Sequence, residues 1–190
     1  MPRLAPLVAA VLLCTLTRAL WAADGPCLPL RAGAEWTYAR DVQDRTRTQV
    51  PRSPSVTIRV TGGVSNGHWP LVIDGIETKA KLSADGVQLL QLSRVGVAGA
   101  PALIPTADLR WSGPDRWKTQ SFAGCLGFNI MGRREGPEKI ETPAGTFECL
   151  KITNEGLGQE TWWLAPGVGI VKHTRNHSGV FETWTLLRRS

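Results

Sequence analysis

The sequence predicts an all-β protein, a single strongly curved antiparallel sheet or incomplete barrel with little helix beyond an N-terminal leader. Three observations carry this. Apolar and polar residues alternate with period two, most cleanly where Val56, Ile58 and Val60 interleave with Thr57, Arg59 and Thr61. Hairpin signals at Ser65-Asn66-Gly67, Asp74-Gly75 and Ala84-Asp85-Gly86 recur about every ten residues, which suits a meander and not βαβ units. Between Ile140 and Arg175, Pro143-Ala144-Gly145 and Ala165-Pro166-Gly167-Val168-Gly169 separate extended runs. There Pro presets φ for a turn and Gly accepts a positive φ, so each cluster reverses the chain.

Taken in order, Met1 to Ala23 reads as a secretory signal peptide. Arg3 gives it a positive start, Leu4 to Leu16 is apolar, and Ala22 or Ala23 offers a small residue for cleavage. The apolar run is shorter than the ~20 residues that span a bilayer, so no transmembrane span is expected after cleavage. Neither Cys14 nor Cys27 follows the small residues of a bacterial lipobox, so a periplasmic or otherwise exported protein without a lipid anchor is expected. Residues 24–190 then make one domain.

Ala23 to Ala34 reads as a loop, and Glu35 to Arg40 as a half-buried strand through Trp36 and Tyr38. Asp41 to Pro54 reads as a long polar loop or a frayed strand extension. Strands are expected over Val56 to Val60, His68 to Ile73, Ile76 to Ser83 (Glu77, Lys79 and Lys81 on one face) and Val87 to Leu92. Gly96 to Trp117 is apolar but broken by Gly and Pro. Leu103-Ile104-Pro105 reads as an extended link, and Thr106 to Trp111 as one helical turn at most. WKTQSF from Trp117 is a strand candidate, and Met131 to Glu138 reads as a charged turn. The sheet resumes at Ile140 and closes on Val180 to Leu187 after the Asn176-His177-Ser178-Gly179 turn.

The net charge of +6 falls to +4 once Arg3 and Arg18 leave with the leader, and the remaining basic residues are scattered. A nucleic-acid reader would concentrate them on one element, so no nucleic acid is expected. Of the cysteines outside the leader, Cys149 lies inside a strand, where it packs as a small apolar group. Cys27 and Cys125 sit in Gly/Pro-rich irregular segments and are the favoured disulfide pair in an oxidising compartment.

Four pieces of the chain carry a resemblance: Leu28-Pro29-Leu30-Arg31-Ala32-Gly33-Ala34-Glu35-Trp36-Thr37-Tyr38, Thr142-Pro143-Ala144-Gly145-Thr146-Phe147-Glu148-Cys149, Glu160-Thr161-Trp162-Trp163-Leu164-Ala165-Pro166-Gly167-Val168-Gly169, and Ile170-Val171-Lys172. Together they resemble exported bacterial domains of unknown function with the lipoprotein-localisation (LolA/LolB-like) fold. The resemblance implies a curved antiparallel sheet forming an incomplete barrel, whose best-known members hold a hydrophobic ligand in the concavity. It departs at the helices that plug the barrel mouth in those carriers, which have no counterpart in this sequence. Fold analogy carries architecture better than function.

No catalytic constellation emerges. His173 and His177 have the H-x-x-x-H spacing of a helical zinc site but flank an expected hairpin turn, so both read as solvent-facing turn residues, as does His68. No metal or other cofactor is therefore expected. Glu148 and Glu160 fall on adjacent strands and are the one carboxylate pair worth weighing for hydrolysis of an envelope polymer. Opposed charges on a solvated sheet face are the plainer reading.

Tryptophan is in excess. Adjacent Trp162 and Trp163 must point to opposite faces of a strand, Trp162 sharing its face with Glu160 and Leu164. Trp36, Trp69, Trp162, Trp163 and Trp184 are the candidate ligand-binding residues, weighed against simple core filling. The expected function is a non-catalytic envelope module that holds a hydrophobic ligand, an acyl chain or an extended peptide on a concave sheet face. The alternative is a structural or assembly factor whose sheet edge pairs with an envelope protein partner.

Overall fold

The computed structural model describes residues 27–44, 53–93, 102–123, 126–156 and 158–190. They form a 12-stranded antiparallel sheet: β1 (Glu35–Asp44), β2 (Ser55–Val60), β3 (Trp69–Ile73), β4 (Ile76–Leu82), β5 (Gly86–Ser93), β6 (Ala102–Arg110), β7 (Arg116–Ala123), β8 (Leu126–Thr142), β9 (Gly145–Glu155), β10 (Gln159–Ala165), β11 (Gly169–His177) and β12 (Val180–Arg189). The order across the sheet is β6-β5-β4-β3-β2-β1-β12-β11-β10-β9-β8-β7. The first strand thus pairs with the last, and every other neighbour is a hairpin partner. The expected leader and Cys125 lie outside the described residues, and among those described no helix is long and apolar enough to cross a membrane.

The sheet curls into a nearly closed barrel, and the edge strands β6 and β7 meet through side chains. Ser121 Oγ donates to the Pro105 carbonyl at 2.8 Å, and Thr119 Oγ1 donates to the buried Asp108 carboxylate. Arg110 reaches the same carboxylate at 3.1 Å and lies 5.6 Å from the centre of the Trp117 ring. Curling brings one sheet face inward, so alternate residues of every strand share one interior.

The hairpin turns match their chemistry. Asn66-Gly67, Asp74-Gly75 and Ser178-Gly179 all have positive φ at both central positions, the mirror-image turn that follows the twist of paired strands. Two expectations fail. Thr106 to Trp111 is not a helical turn: it lies mostly in β6, where Ala107 and Leu109 are buried. Pro105 is accommodated because the register with β5 shifts there, Leu89 pairing with Ala107 and Leu90 with Pro105. A Pro without an N–H fits an irregularity better than a regular ladder. Met131 to Glu138 is not a turn either; it lies within the 17-residue β8. Its charges are matched, Glu135 accepting from Lys151 of β9 at 2.8 Å and from Arg133 of its own strand at 2.9 Å. The register shifts between Glu135 and Pro137, which lets Gly136-Pro137 pass without ending the strand.

One end of the barrel is solid. Tyr38, Val56, Val60, Leu109, Ile152, Leu164 and Leu186 are fully buried and come from strands all round the wall. Trp36 Nε1 donates to the Val168 carbonyl at 2.7 Å and Tyr38 Oη to the Ile170 carbonyl at 3.0 Å, so the polar tips of these rings are satisfied inside the apolar mass. Cys27 and Cys149 are buried free thiols in the same core, burial pushing the first up to about 11 and the second up to about 12.

Candidate functional site

Above the apolar floor, strand register builds the interior in layers. Ile152, Trp162, His173, Trp184 and Arg40 are successive register partners across β9, β10, β11, β12 and β1. The next layer toward the other end is Asn154, Glu160, Arg175 and Glu182, again in register. Paired residues share a sheet face, so both layers point into the barrel.

The first layer is aromatic. Trp162 and His173 stack with ring centres 3.7 Å apart, and His173 meets Trp184 edge-on at 4.5 Å. Burial, then the charge of Arg175, holds the His173 imidazole well below its ordinary pKa, so it is neutral. Neither ring nitrogen has a hydrogen-bond partner among the described residues, and Nε2 lies 3.9 Å from Glu160 Oε2. The solvent-facing turn expected of His173 is therefore wrong; His177, at the exposed end of β11, fits it better. Alternation placed His173 on a face but could not say that the face curls inward.

The second layer is polar. Glu182, 1% exposed, accepts from Arg175 Nη2 and from Trp184 Nε1, each at 2.7 Å, and its Oε1 lies 2.9 Å from Arg40 Nε. Burial pushes this carboxyl up, but the Trp184 hydrogen bond and the charges of Arg175 and Arg40 outweigh burial and leave it below its usual value. Arg40 also pairs with Asp74 at the β3–β4 turn. Glu160 differs: burial pushes it up to about 7, the charge of Arg175 opposing and that of Glu182 adding to the rise. Asn154 is 3% exposed, and neither polar side-chain atom has a partner among the described residues.

These layers line two adjoining spaces. One of about 480 Å³ lies between Ile104, Phe128, Ile130, Asn154, Glu160, Arg175 and Val180. The other, about 500 Å³, lies between Arg40, Ile73, Leu89, Ala107, Trp162, His173, Glu182 and Trp184. Gln91, Thr106, Glu160 and Arg175 are common to both. Contributions from strands all round the wall place the cavity inside the barrel, at the end bounded by the Asp74-Gly75 and Ser178-Gly179 turns.

Of the candidate residues, Trp162 and Trp184 line this cavity. Trp36 and Trp69 do not: Trp36 seals the apolar end, and Trp69, paired with Ala80, packs half-buried against the core. Trp163 is on the opposite face, its Nε1 donating to Glu138 at 2.9 Å and its ring 5.0 Å from Lys172 Nζ. The carboxylates Glu148 and Glu160 do not face each other. Glu148 is exposed and pairs with Lys139, and Glu160 pairs with Asn154, roughly 20 Å further along β9. Cys27 is a free thiol, and its expected partner Cys125 lies outside the described residues. Among the described residues no group of three or more His, Cys, Asp or Glu is placed to hold a metal ion. Arg40, Asn154, Arg175 and Glu182 escaped sequence reasoning, because isolated polar residues on strands carry the same signal whether they face water or a cavity.

A family profile described as DUF3108-like matches residues 121–187, the stretch that includes both cavity layers of β9 to β12. No curated protein matches the chain. Among solved structures, the chain is 16% identical to a candidate lipoprotein of Parabacteroides distasonis, covering 86% of this chain and 98% of that one at a TM-score of 0.46. It is 15% identical to a candidate exported protein with a YmcC-like fold from Bacteroides fragilis, with the same coverage of 86% and 98% and a TM-score of 0.45. It is 9% identical to the hypothetical lipoprotein YmcC of Escherichia coli, covering 93% and 95% at a TM-score of 0.38. The lipoprotein-localisation resemblance of the motifs is not among what these matches name.

Proposed function

We propose that this is an exported envelope protein that binds a small amphipathic molecule inside the open end of its barrel and does no chemistry on it. The observation that carries this reading is the interior cavity: two adjoining spaces of about 480 and 500 Å³, the first largely apolar along Ile104, Phe128, Ile130 and Val180, the second walled by polar and apolar side chains in about equal measure. Pockets of roughly 300–1,000 Å³ with that mixture hold small ligands. The solid opposite end explains why the cavity has a floor, and the Trp162–His173–Trp184 layer is that floor. Export rests on the leader read from residues 1–23.

The case for a non-catalytic role is the state of the carboxylates. Glu182 is engaged by Arg175, Trp184 and Arg40, so its lone pairs are committed to holding the wall together. Asp74 is likewise engaged by Arg40, so among the described residues Glu160 has no free second carboxylate beside it, and glycoside hydrolysis needs two. An assembly role through the sheet edge is less favoured, because β6 and β7 face each other and a partner strand would have to displace the Ser121–Pro105 and Thr119–Asp108 contacts.

Native mass spectrometry of the protein purified gently from its own envelope fraction tests the reading. A reproducible mass excess that delipidation removes and Trp162→Ala reduces is expected. A clean apo mass, together with a companion protein, would replace it with the assembly role.

A further inference from the structure

Resting on the binding reading above, one pair of residues narrows the chemistry of the ligand. Asn154 and Glu160 are direct partners across β9 and β10, with their Cβ atoms about 5 Å apart by the geometry of such pairs. Both line the space of about 480 Å³. The partner of Asn154 on its other side is Gly132, which has no side chain to offer. Gly132 is itself imposed, since a Cβ there would lie 2.0 Å from Cε2 of Trp117. Among the described residues the carboxamide therefore has neither its oxygen nor its nitrogen hydrogen-bonded. A buried carboxamide left in that state is destabilising, a cost that a core built only for stability avoids with Val or Leu.

The charges around it discriminate between ligands. Arg40 and Arg175 are compensated by Glu182 and Asp74. A carboxylate entering here would approach Glu160 while Arg175 is already engaged, and an ammonium would meet two guanidinium groups. A hydroxyl offers a single oxygen for the two ends of the Asn154 amide. An N–H and a C=O side by side answer both ends at once, as in bidentate recognition by Asn elsewhere.

We infer that the polar end of the ligand is an uncharged carboxamide-type group read by Asn154 beside Glu160, with its apolar part against Ile104, Phe128 and Ile130. Burial favours the protonated form of Glu160, which adds a further donor at this place without adding charge.

The test is a matched series, decanamide, 1-decanol, decanoate and decylammonium, titrated into the delipidated full-length mature protein at about pH 6, where a group titrating near 7 is mostly protonated. Decanamide should bind about tenfold more tightly than either ion, the worth of one well-made hydrogen bond. In the parent decanamide should also bind more tightly than 1-decanol, and Asn154→Leu should remove that advantage. Asn154→Asp, which keeps the shape but removes the donors, should also abolish the amide preference. Decanoate or decylammonium binding as tightly as decanamide, or a preference for decanamide over 1-decanol that survives both substitutions, would overturn the inference and leave the cavity reading standing. Failure of all four probes to bind would remove both.

Discussion

Trp162 lies flat against His173, with ring centres 3.7 Å apart and planes inclined by 22°. The contact joins neighbouring strands β10 and β11 and forms the floor on which the polar layer stands. Removing the indole opens a hole in a closely packed layer, so Trp162→Ala should destabilise the protein by about 3–5 kcal/mol. Trp163→Ala, on the outer face, should leave ligand binding unchanged. Denaturant melts and probe titration of the two variants separate the roles; equal loss of binding in both would refute the assignment of faces.

His173 is neutral, buried and without a hydrogen-bond partner among the described residues, so its ring serves as a flat filler. His173→Phe should therefore change stability by less than about 1.5 kcal/mol, as size-conserving core exchanges do. A larger loss in a urea melt would mean that the imidazole nitrogens hold something that phenyl cannot.

Glu160 and His173 give stability opposite dependences on pH. The folded pKa of Glu160 is raised from 4.5 to about 7, so its contribution is full below 4.5 and is lost as pH climbs to about 7. The folded pKa of His173 is depressed below 6.5, so its contribution is full above 6.5 and is lost as pH falls toward the depressed value. Thermal melts of Glu160→Gln between about pH 4.5 and 7 should lack the alkaline-side decline of the parent. Parallel curves for the two proteins would contradict the raised Glu160.

Gly132 has no room for a methyl group: an added Cβ would lie 2.0–2.5 Å from three atoms of the Trp117 indole. Gly132→Ala should destabilise by about 1–3 kcal/mol, the usual range for overpacking. Adding Trp117→Leu should recover part of that loss, and a double mutant that is simply the sum of two losses would argue against the clash.

The β6–β7 seam is held by Ser121 on Pro105 and Thr119 on Asp108. Replacing both donors, with Thr119→Val and Ser121→Ala, should cost about 1–3 kcal/mol. It should also speed amide hydrogen exchange in β6 and β7 while sparing β10 to β12. Uniform acceleration through the whole sheet would mean that the seam does not open separately.

The elements whose causes are local were legible in the sequence. Asn66-Gly67, Asp74-Gly75 and Ser178-Gly179 adopt positive φ because those residues tolerate it, whatever surrounds them. Alternation over Val56 to Val60 and the opposed faces of Trp162 and Trp163 follow from strand geometry alone. The β6 strand and the middle of β8 were hidden because their irregularities are absorbed by partners. Pro105 is tolerated only through a register shift against β5, and Glu135 of β8 meets Lys151 only once β9 lies beside it.

The sequence by itself determined the all-β class, the hairpin positions and which residues share a strand face. Only the tertiary structure decided that the face bearing Asn154, Glu160, His173, Arg175 and Glu182 is the inside of a barrel. A period of two assigns side chains to two faces but is symmetric between them. Curling that pairs β1 with β12 and brings β6 against β7 makes one face concave, and so turns scattered polar residues into the wall of a cavity.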